Sequence, residues 1–378
     1  MTRIRQFQVT LACTLGSFLM GLLFVWPSYT LNLYTSKNTT LLSKPMTEIE
    51  SSLLGSLPCL GGLFGTVFSG IIINSLGRKI GGITIAMPYI ASWLMIDLSS
   101  SSIVVLIARF LGGISCGATL VHTPIFISEV ADESVRGLLT SATDEPEKET
   151  LNEDMGIEQK KMPPYKILFL SPAPRRGFII VALTVALKLL MGMVVVQVYA
   201  KSIFAQAAPN LSSHLCSVLF ALVLLSGSLF CALFSDRFGR KPLLITSSAI
   251  VALCLLCMGV IIHTNLVPAI LTAVLMLIFC FAFMMGAGSV PYVLLAELFM
   301  SDVQSLASMI LMNVMWIVDF FIVGIFPYMI KMFGIHGSFY IFALFGVINV
   351  LVGIFLVPET KGISKEEIQK RLVGRQKK

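Results

Sequence analysis

Long apolar runs, cut by short polar turns, set the rhythm of this 378-residue chain. Roughly 20 apolar residues cross the hydrocarbon core of a bilayer as a helix. On that measure spans are expected near 8–29, 52–73, 80–98, 103–128, 177–200, 213–234, 243–262, 267–296, 305–329 and 337–357. An even number of spans, ten, returns both termini to one side. Loop charge selects the side, because cytoplasmic loops collect Arg and Lys. Arg3, Arg5, Arg78, Lys79, Arg136, Arg175, Arg176, Arg237, Arg240, Lys241 and the Lys-rich tail share one face, with Lys37, Lys44, Lys201 and Lys331 opposite. The expectation is a multi-pass protein of the plasma membrane with both termini cytosolic. Two glycosylation sequons, Asn38-Thr39-Thr40 and Asn210-Leu211-Ser212, fall on the exoplasmic face. Asn38 is the expected acceptor, since Asn210 lies close to a helix end.

A charged knot between two spans, Ser235 to Lys241 (SDRFGRK), has a weaker upstream copy in Asn74-Ser75-Leu76-Gly77-Arg78-Lys79. Gly77 and Gly239 allow a tight reversal where a β-carbon would be strained. Two such turns at matching places suggest two similar halves. The expected organisation is a first bundle of four spans over 1–136, a cytosolic linker over 137–174, a second bundle of six spans over 175–357 and a cytosolic tail over 358–378. The linker is acidic, with Asp144, Glu145, Glu147, Glu149, Glu153, Asp154 and Glu158. It reads as a solvated connector in preference to a docking segment. Ser364 and Glu367 form a candidate capping box for a tail helix carrying Ile368 and Leu372 along the cytosolic face.

Composition narrows the class. With 56% hydrophobic and 12% charged residues, and a mean hydropathy of +0.89, the chain is expected to be an all-α polytopic membrane protein, not a soluble domain. Its net charge of +7 sits in short loops and at the ends. Membrane orientation accounts for it without a nucleic-acid partner. The eight cysteines lie in or beside apolar runs at irregular spacing, which indicates neither a disulfide framework nor a zinc site. Cys254 and Cys257 form a CxxC inside an apolar helix, where packing is the simpler reading. The first apolar run is long and lacks a small-residue cleavage pattern, so it is read as a span and not as a signal peptide. No metal-ligand spacing, cofactor motif or nucleophile–base–carboxylate set appears, so the chain is not read as an enzyme.

The motifs carry a specific likeness. Arg109-Phe110-Leu111-Gly112-Gly113, then Pro124 to Ile127, Ser128-Glu129-Val130 and Val135-Arg136-Gly137, resemble the fourth helix of the sugar porter family of the major facilitator superfamily. SDRFGRK, Pro291-Tyr292, Ala296-Glu297-Leu298-Phe299 and Pro358-Glu359-Thr360-Lys361-Gly362 match its second half in order. The branch it resembles is that of the facilitated glucose and trehalose carriers. The resemblance covers nearly the whole chain and implies two helical bundles rocking about a central site, with a small-molecule solute and the lipid bilayer as partners. Between Arg136 and Arg175 the family's fifth and sixth helices have no counterpart.

Arg78, Glu129 and Arg136 end helices on the cytoplasmic side of the first half, as Asp236, Arg237, Arg240 and Glu297 do in the second. Opposite charges there can latch the two bundles together on the inner face; the alternative is that they anchor loops at the headgroups. Gly286, Gly288 and Pro291 are expected to break their helix near mid-membrane, and broken helices in carriers expose backbone groups to a cavity. Tyr292 beside that break is a candidate platform for a sugar ring. Trp316 is another, with a bilayer-facing position as its alternative. The resemblance places Lys188, Gln197, Tyr199 and Asp319 with them on the cavity wall. It also exposes departures: Lys188, Leu189, Val194, Leu224, Met315 and Asp319 stand where the family holds a hexose with amides. Lys188 and Asp319 are each too deep to be charged without cost. They are expected either to pair with each other or to be solvated separately in a wet cavity. Two functions follow: a carrier of the sugar-porter type, moving a sugar such as trehalose or glucose by alternating access, or a truncated, non-transporting partner of a full-length homologous carrier.

Overall fold

The computed structural model of the chain describes residues 3–130, 163–199, 213–264 and 269–374, and the regular structure among them is entirely helical. Hydrocarbon offers the backbone no hydrogen-bond partners, so an apolar segment crossing it must satisfy its own amides. Helix α1 runs Arg3–Thr35, α2 Glu48–Leu98 and α3 Ser102–Val130. Then come α4 (Pro164–Leu170), α5 (Pro172–Leu190), α6 (Ser213–Phe238), α7 (Arg240–Thr264) and α8 (Ala269–Ala282). A π-helical turn, Phe283–Ala287, leads to α9 (Val290–Glu297), followed by α10 (Ser301–Phe355) and a tail helix α11 (Lys365–Gly374).

Helices α2 and α10, at 51 and 55 residues, are far longer than a bilayer requires. Each is two spans. The backbone turns to φ +76° at Gly77 and +70° at Gly334, conformations that side chains with a β-carbon avoid. At the first break the two arms lie against each other, since a β-carbon on Gly81 would stand 3.3 Å from the Ile73 Cα. With these breaks, each of the ten expected spans falls on helical backbone, to within a few residues, wherever the chain is described. The segment Pro172–Tyr199 differs from a plain span: its helix is interrupted at Gly192, where φ is +80° and the Phe342 ring packs against the backbone.

Helices α2 and α3 of the first half meet through glycine. A β-carbon on Gly61 would fall 2.1 Å from the Phe110 carbonyl oxygen, and one on Gly65 would fall 2.0 Å from that of Ile114. Gly117 meets the Gly62 oxygen in the same way, at 2.0 Å. Where lipid removes the hydrophobic drive between helices, such backbone approach supplies the dispersion contact that holds them. The start of α2 is fixed by a complete capping box: the Glu50 amide donates to the Thr47 hydroxyl and the Thr47 amide to the Glu50 carboxylate. Such a cap contributes about 1 kcal/mol.

Helices α5 to α11 form the second group, and the main seam between the groups is α2 against α10. The seam is knit at the end bearing Glu48. There the Ser52 hydroxyl donates to the Gly324 carbonyl, and the Lys331 ammonium pairs with the Glu48 carboxylate. The tail helix docks on α5, with Ile368 and Leu372 buried and the Arg176 guanidinium donating to the Leu372 carbonyl at 2.6 Å. Only one arm of its expected capping box forms, the Glu367 amide on the Ser364 hydroxyl; the Glu367 carboxylate turns to Arg371 instead. Of the linker expected over 137–174, residues 137–162 lie outside the described residues, as does Asn210, whereas 163–174 are not a solvated connector but form α4, with Leu168 buried, and the start of α5. Asn38 is exposed in the loop between α1 and α2.

Candidate functional site

The expected break between α8 and α9 is present, and it creates an interior site. Pro291 has no amide hydrogen to give. The Tyr292 amide donates to Ser289 O at 3.1 Å, so the Gly288 carbonyl loses its helical partner. Lys188 of α5 supplies a replacement, its ammonium donating to Gly288 O at 3.2 Å. The same ammonium lies 3.7 Å from the centre of the Tyr292 ring, a cation–π contact worth about 2 kcal/mol when desolvated. The Tyr292 hydroxyl donates to the Met315 sulfur at 3.1 Å. One helical turn beyond Met315, Asp319 is 4% exposed and Oδ1 has no hydrogen-bond partner.

Lys188 and Asp319 therefore do not form the direct ion pair that was one of the two expectations. The orphaned carbonyl and the ring face capture the ammonium first. One face of the Tyr292 ring is covered by that ammonium. Trp316, 1% exposed, does not face lipid. It stacks 6.2 Å from Phe24, lies over Gly62 and donates from Nε1 to the Thr66 hydroxyl at 2.9 Å, filling the seam between the groups. Tyr199 is tied by its hydroxyl to the Val323 carbonyl at 3.3 Å, and Gln197 is half-buried on the short helical stretch after Gly192.

A third interior residue of charged type, Arg109, was read in the sequence only as part of a motif. Arg109 of α3 is wholly buried, donating from Nε to Leu54 O at 3.1 Å and from Nη1 to Leu23 O at 2.6 Å. Its Nη2 has no partner, and the guanidinium carbon lies 5.4 Å from the Trp26 ring centre. The available signal was an arginine inside an apolar run, too deep for either headgroup layer.

At the end bearing the two charged turns, three motifs far apart in sequence converge. Arg240 gives Nη2 and Nε to one oxygen of Glu297, at 2.7 and 3.0 Å, and the other oxygen accepts the Thr360 hydroxyl. Glu359 accepts the backbone amides of Arg240, Lys241, Thr360 and Lys361, capping the first turn of α7. Lys361 reaches the Arg237 carbonyl at 2.7 Å. This network joins helices of the second group to one another, so as it stands the Arg240–Glu297 pair does not bridge the bundles. In the first group, Arg78 reaches Asn74 at 3.3 Å and its carbonyl meets His122 Nε2 at 3.0 Å. The side chains of Glu129 and Asp236, and all of Arg136, lie outside the described residues; Arg237 is exposed.

The sugar (and other) transporter family matches residues 9–146 and 141–372, with its join inside the acidic stretch. A facilitated trehalose transporter, Tret1 of Polypedilum vanderplanki, is 25% identical over 447 residues, covering 98% of this chain and 88% of that protein. Its Drosophila grimshawi namesake is 24% identical, and the chain spans 48% of its length. The alignment with the first exceeds this chain's 378 residues, so the relative has positions with no counterpart here. Among solved structures, the inward-open xylose transporter XylE from E. coli superimposes with a TM-score of 0.75 at 22% identity, covering 97% of this chain and 99% of that one. A D-xylose-proton symporter superimposes with a TM-score of 0.76, also at 22% identity, over 95% and 99%. At these identities the likeness concerns the fold.

Proposed function

The chain belongs to the sugar (and other) transporter family, and on that premise we propose that it is a membrane carrier moving a small solute, a sugar such as trehalose or glucose, by alternating access. The observation that carries this reading is the seam. Two helical groups meet through α2 and α10, closed by hydrogen bonds at the Glu48 end, with a broken helix and buried polar side chains behind it. Rocking about such a seam exposes an interior site to one side at a time. Because the Ser52 and Glu48 contacts are few and partly wet, the closed end can part at modest cost. In this reading the charged-turn end faces the cytosol, the Glu48 end faces outward, and the membrane is the plasma membrane. The test is uptake of labelled trehalose and glucose by the purified chain in liposomes. Saturable uptake, blocked by excess unlabelled sugar, is expected; a folded protein giving no more than empty liposomes overturns the reading.

A second reading, a non-transporting partner of a full-length carrier, is favoured by one observation. The Polypedilum vanderplanki relative has residues where this chain has none, and the family match is joined at 141–146, in the stretch where the sequence resemblance finds no counterpart of the fifth and sixth helices. Co-purification with a full-length homologue, with no uptake by the chain alone, is its signature.

A further inference from the structure

We propose that the interior site takes a sugar acid, a polyol bearing a single carboxylate, in preference to a neutral sugar. The inference rests on the carrier reading and names its substrate class. Among the described residues, three side chains of charged type are buried in the interior away from both ends: Arg109, Lys188 and Asp319, at 0%, 4% and 4% exposure. No two of them form an ion pair. They nevertheless share one neighbourhood: Tyr292, under the Lys188 ammonium, reaches Met315 one turn before Asp319, and Arg109 holds the carbonyl of Leu54, whose neighbour Gly55 packs against Val323 one turn beyond Asp319. Two cations and one carboxylate leave a formal charge of +1 in a medium that solvates charge poorly. A neutral hexose or a zwitterion leaves that imbalance in place, and a dianion reverses it. A monoanion removes it.

The unused bonding capacity points the same way. An ammonium has three donors, and Lys188 spends one on Gly288 O, leaving two N–H groups for a carboxylate. Asp319 Oδ1 is enclosed without a hydrogen-bond partner. An ionised carboxylate only accepts, and the hydroxyls of a polyol are donors. A carboxylate on Lys188 with hydroxyls turned toward Asp319 therefore satisfies both side chains with one solute. The aromatic stacking open to a neutral sugar is reduced, because Trp316 is locked against Phe24 and Thr66 and one of the two Tyr292 faces holds the Lys188 ammonium.

The probes are D-glucuronate, its methyl ester and D-glucose, added to the purified full chain in detergent while its melting temperature is followed. Glucuronate is expected to stabilise the chain, with at least a tenfold lower half-saturating concentration than the ester or glucose. Lys188→Gln should erase that preference and Lys188→Arg should keep it. Equal responses to glucuronate and its ester overturn the proposal, as does a folded Lys188→Gln that still prefers the acid. The ester comparison needs no variant, so a Lys188→Gln that fails to fold leaves the test intact. Counterflow in liposomes separates the two readings. Binding of glucuronate without movement of any probe removes the carrier reading and supports the acid site; movement of glucose but not glucuronate removes the acid site alone.

Discussion

Arg240 and Glu297, 57 residues apart, meet through two guanidinium hydrogen bonds to a single carboxylate oxygen, while Thr360 occupies the other oxygen. Their side chains are 11% and 18% exposed, so the pair is largely withdrawn from water. Removing one partner strands the other charge. Glu297→Gln should destabilise the second group by about 2 kcal/mol, below the range for fully buried pairs. Melting curves of Glu297→Gln, Arg240→Gln and the double variant check this. Strictly additive losses would show that the pair is not a unit.

Gly239 sits at φ +90°, and a β-carbon there would fall 2.7 Å from Glu359 Oε2. Gly239→Ala therefore combines left-handed strain of about 1–2 kcal/mol with a displaced cap on α7. A lower melting temperature is expected. In a Glu359→Ala background the further loss should be smaller, since the clash has gone and only the strain remains.

Backbone contact at Gly65 leaves no room for any side chain, a β-carbon standing 2.0 Å from Ile114 O. Gly65→Val should prevent α2 and α3 from closing. The expected readout is loss of the monodisperse peak in size-exclusion chromatography, with Gly70→Ala as control because nothing lies within 4 Å of that position.

Trp316 and Thr66 join the two groups by a buried hydrogen bond of 2.9 Å. Thr66→Val leaves the indole N–H without a partner, at a cost of about 1–3 kcal/mol. If the seam moves during transport, this variant should open the Glu48 end more readily. A cysteine introduced at Ser52 would then react faster with an impermeant thiol reagent, and an unchanged rate would mean that the seam is static.

Topology has its own test. A tag after Lys378 should be reached by antibody only in permeabilised cells, and Asn38→Gln should abolish any endoglycosidase-sensitive mobility shift. Labelling of intact cells at the tail would invert the expected orientation.

The placement of the expected spans on helix, wherever the chain is described, and the two glycine turns followed from the sequence by itself, because a bilayer demands long apolar runs and lets charged reversals occur only in water. The break at Gly286, Gly288 and Pro291 was legible for the same local reason: missing amide hydrogens and β-carbons act where they stand. The partners of charged side chains were not. That Lys188 takes a carbonyl and a ring in preference to Asp319, that Arg240 holds Glu297 inside one group, and that Glu359 caps a helix 119 residues earlier depend on which helices become neighbours. Trp316 shows the same limit, since only the approach of α2 at Gly62 turned an apolar-run tryptophan into the seam between the groups. Distances across the fold are set by packing of whole helices, and no stretch of chain contains them.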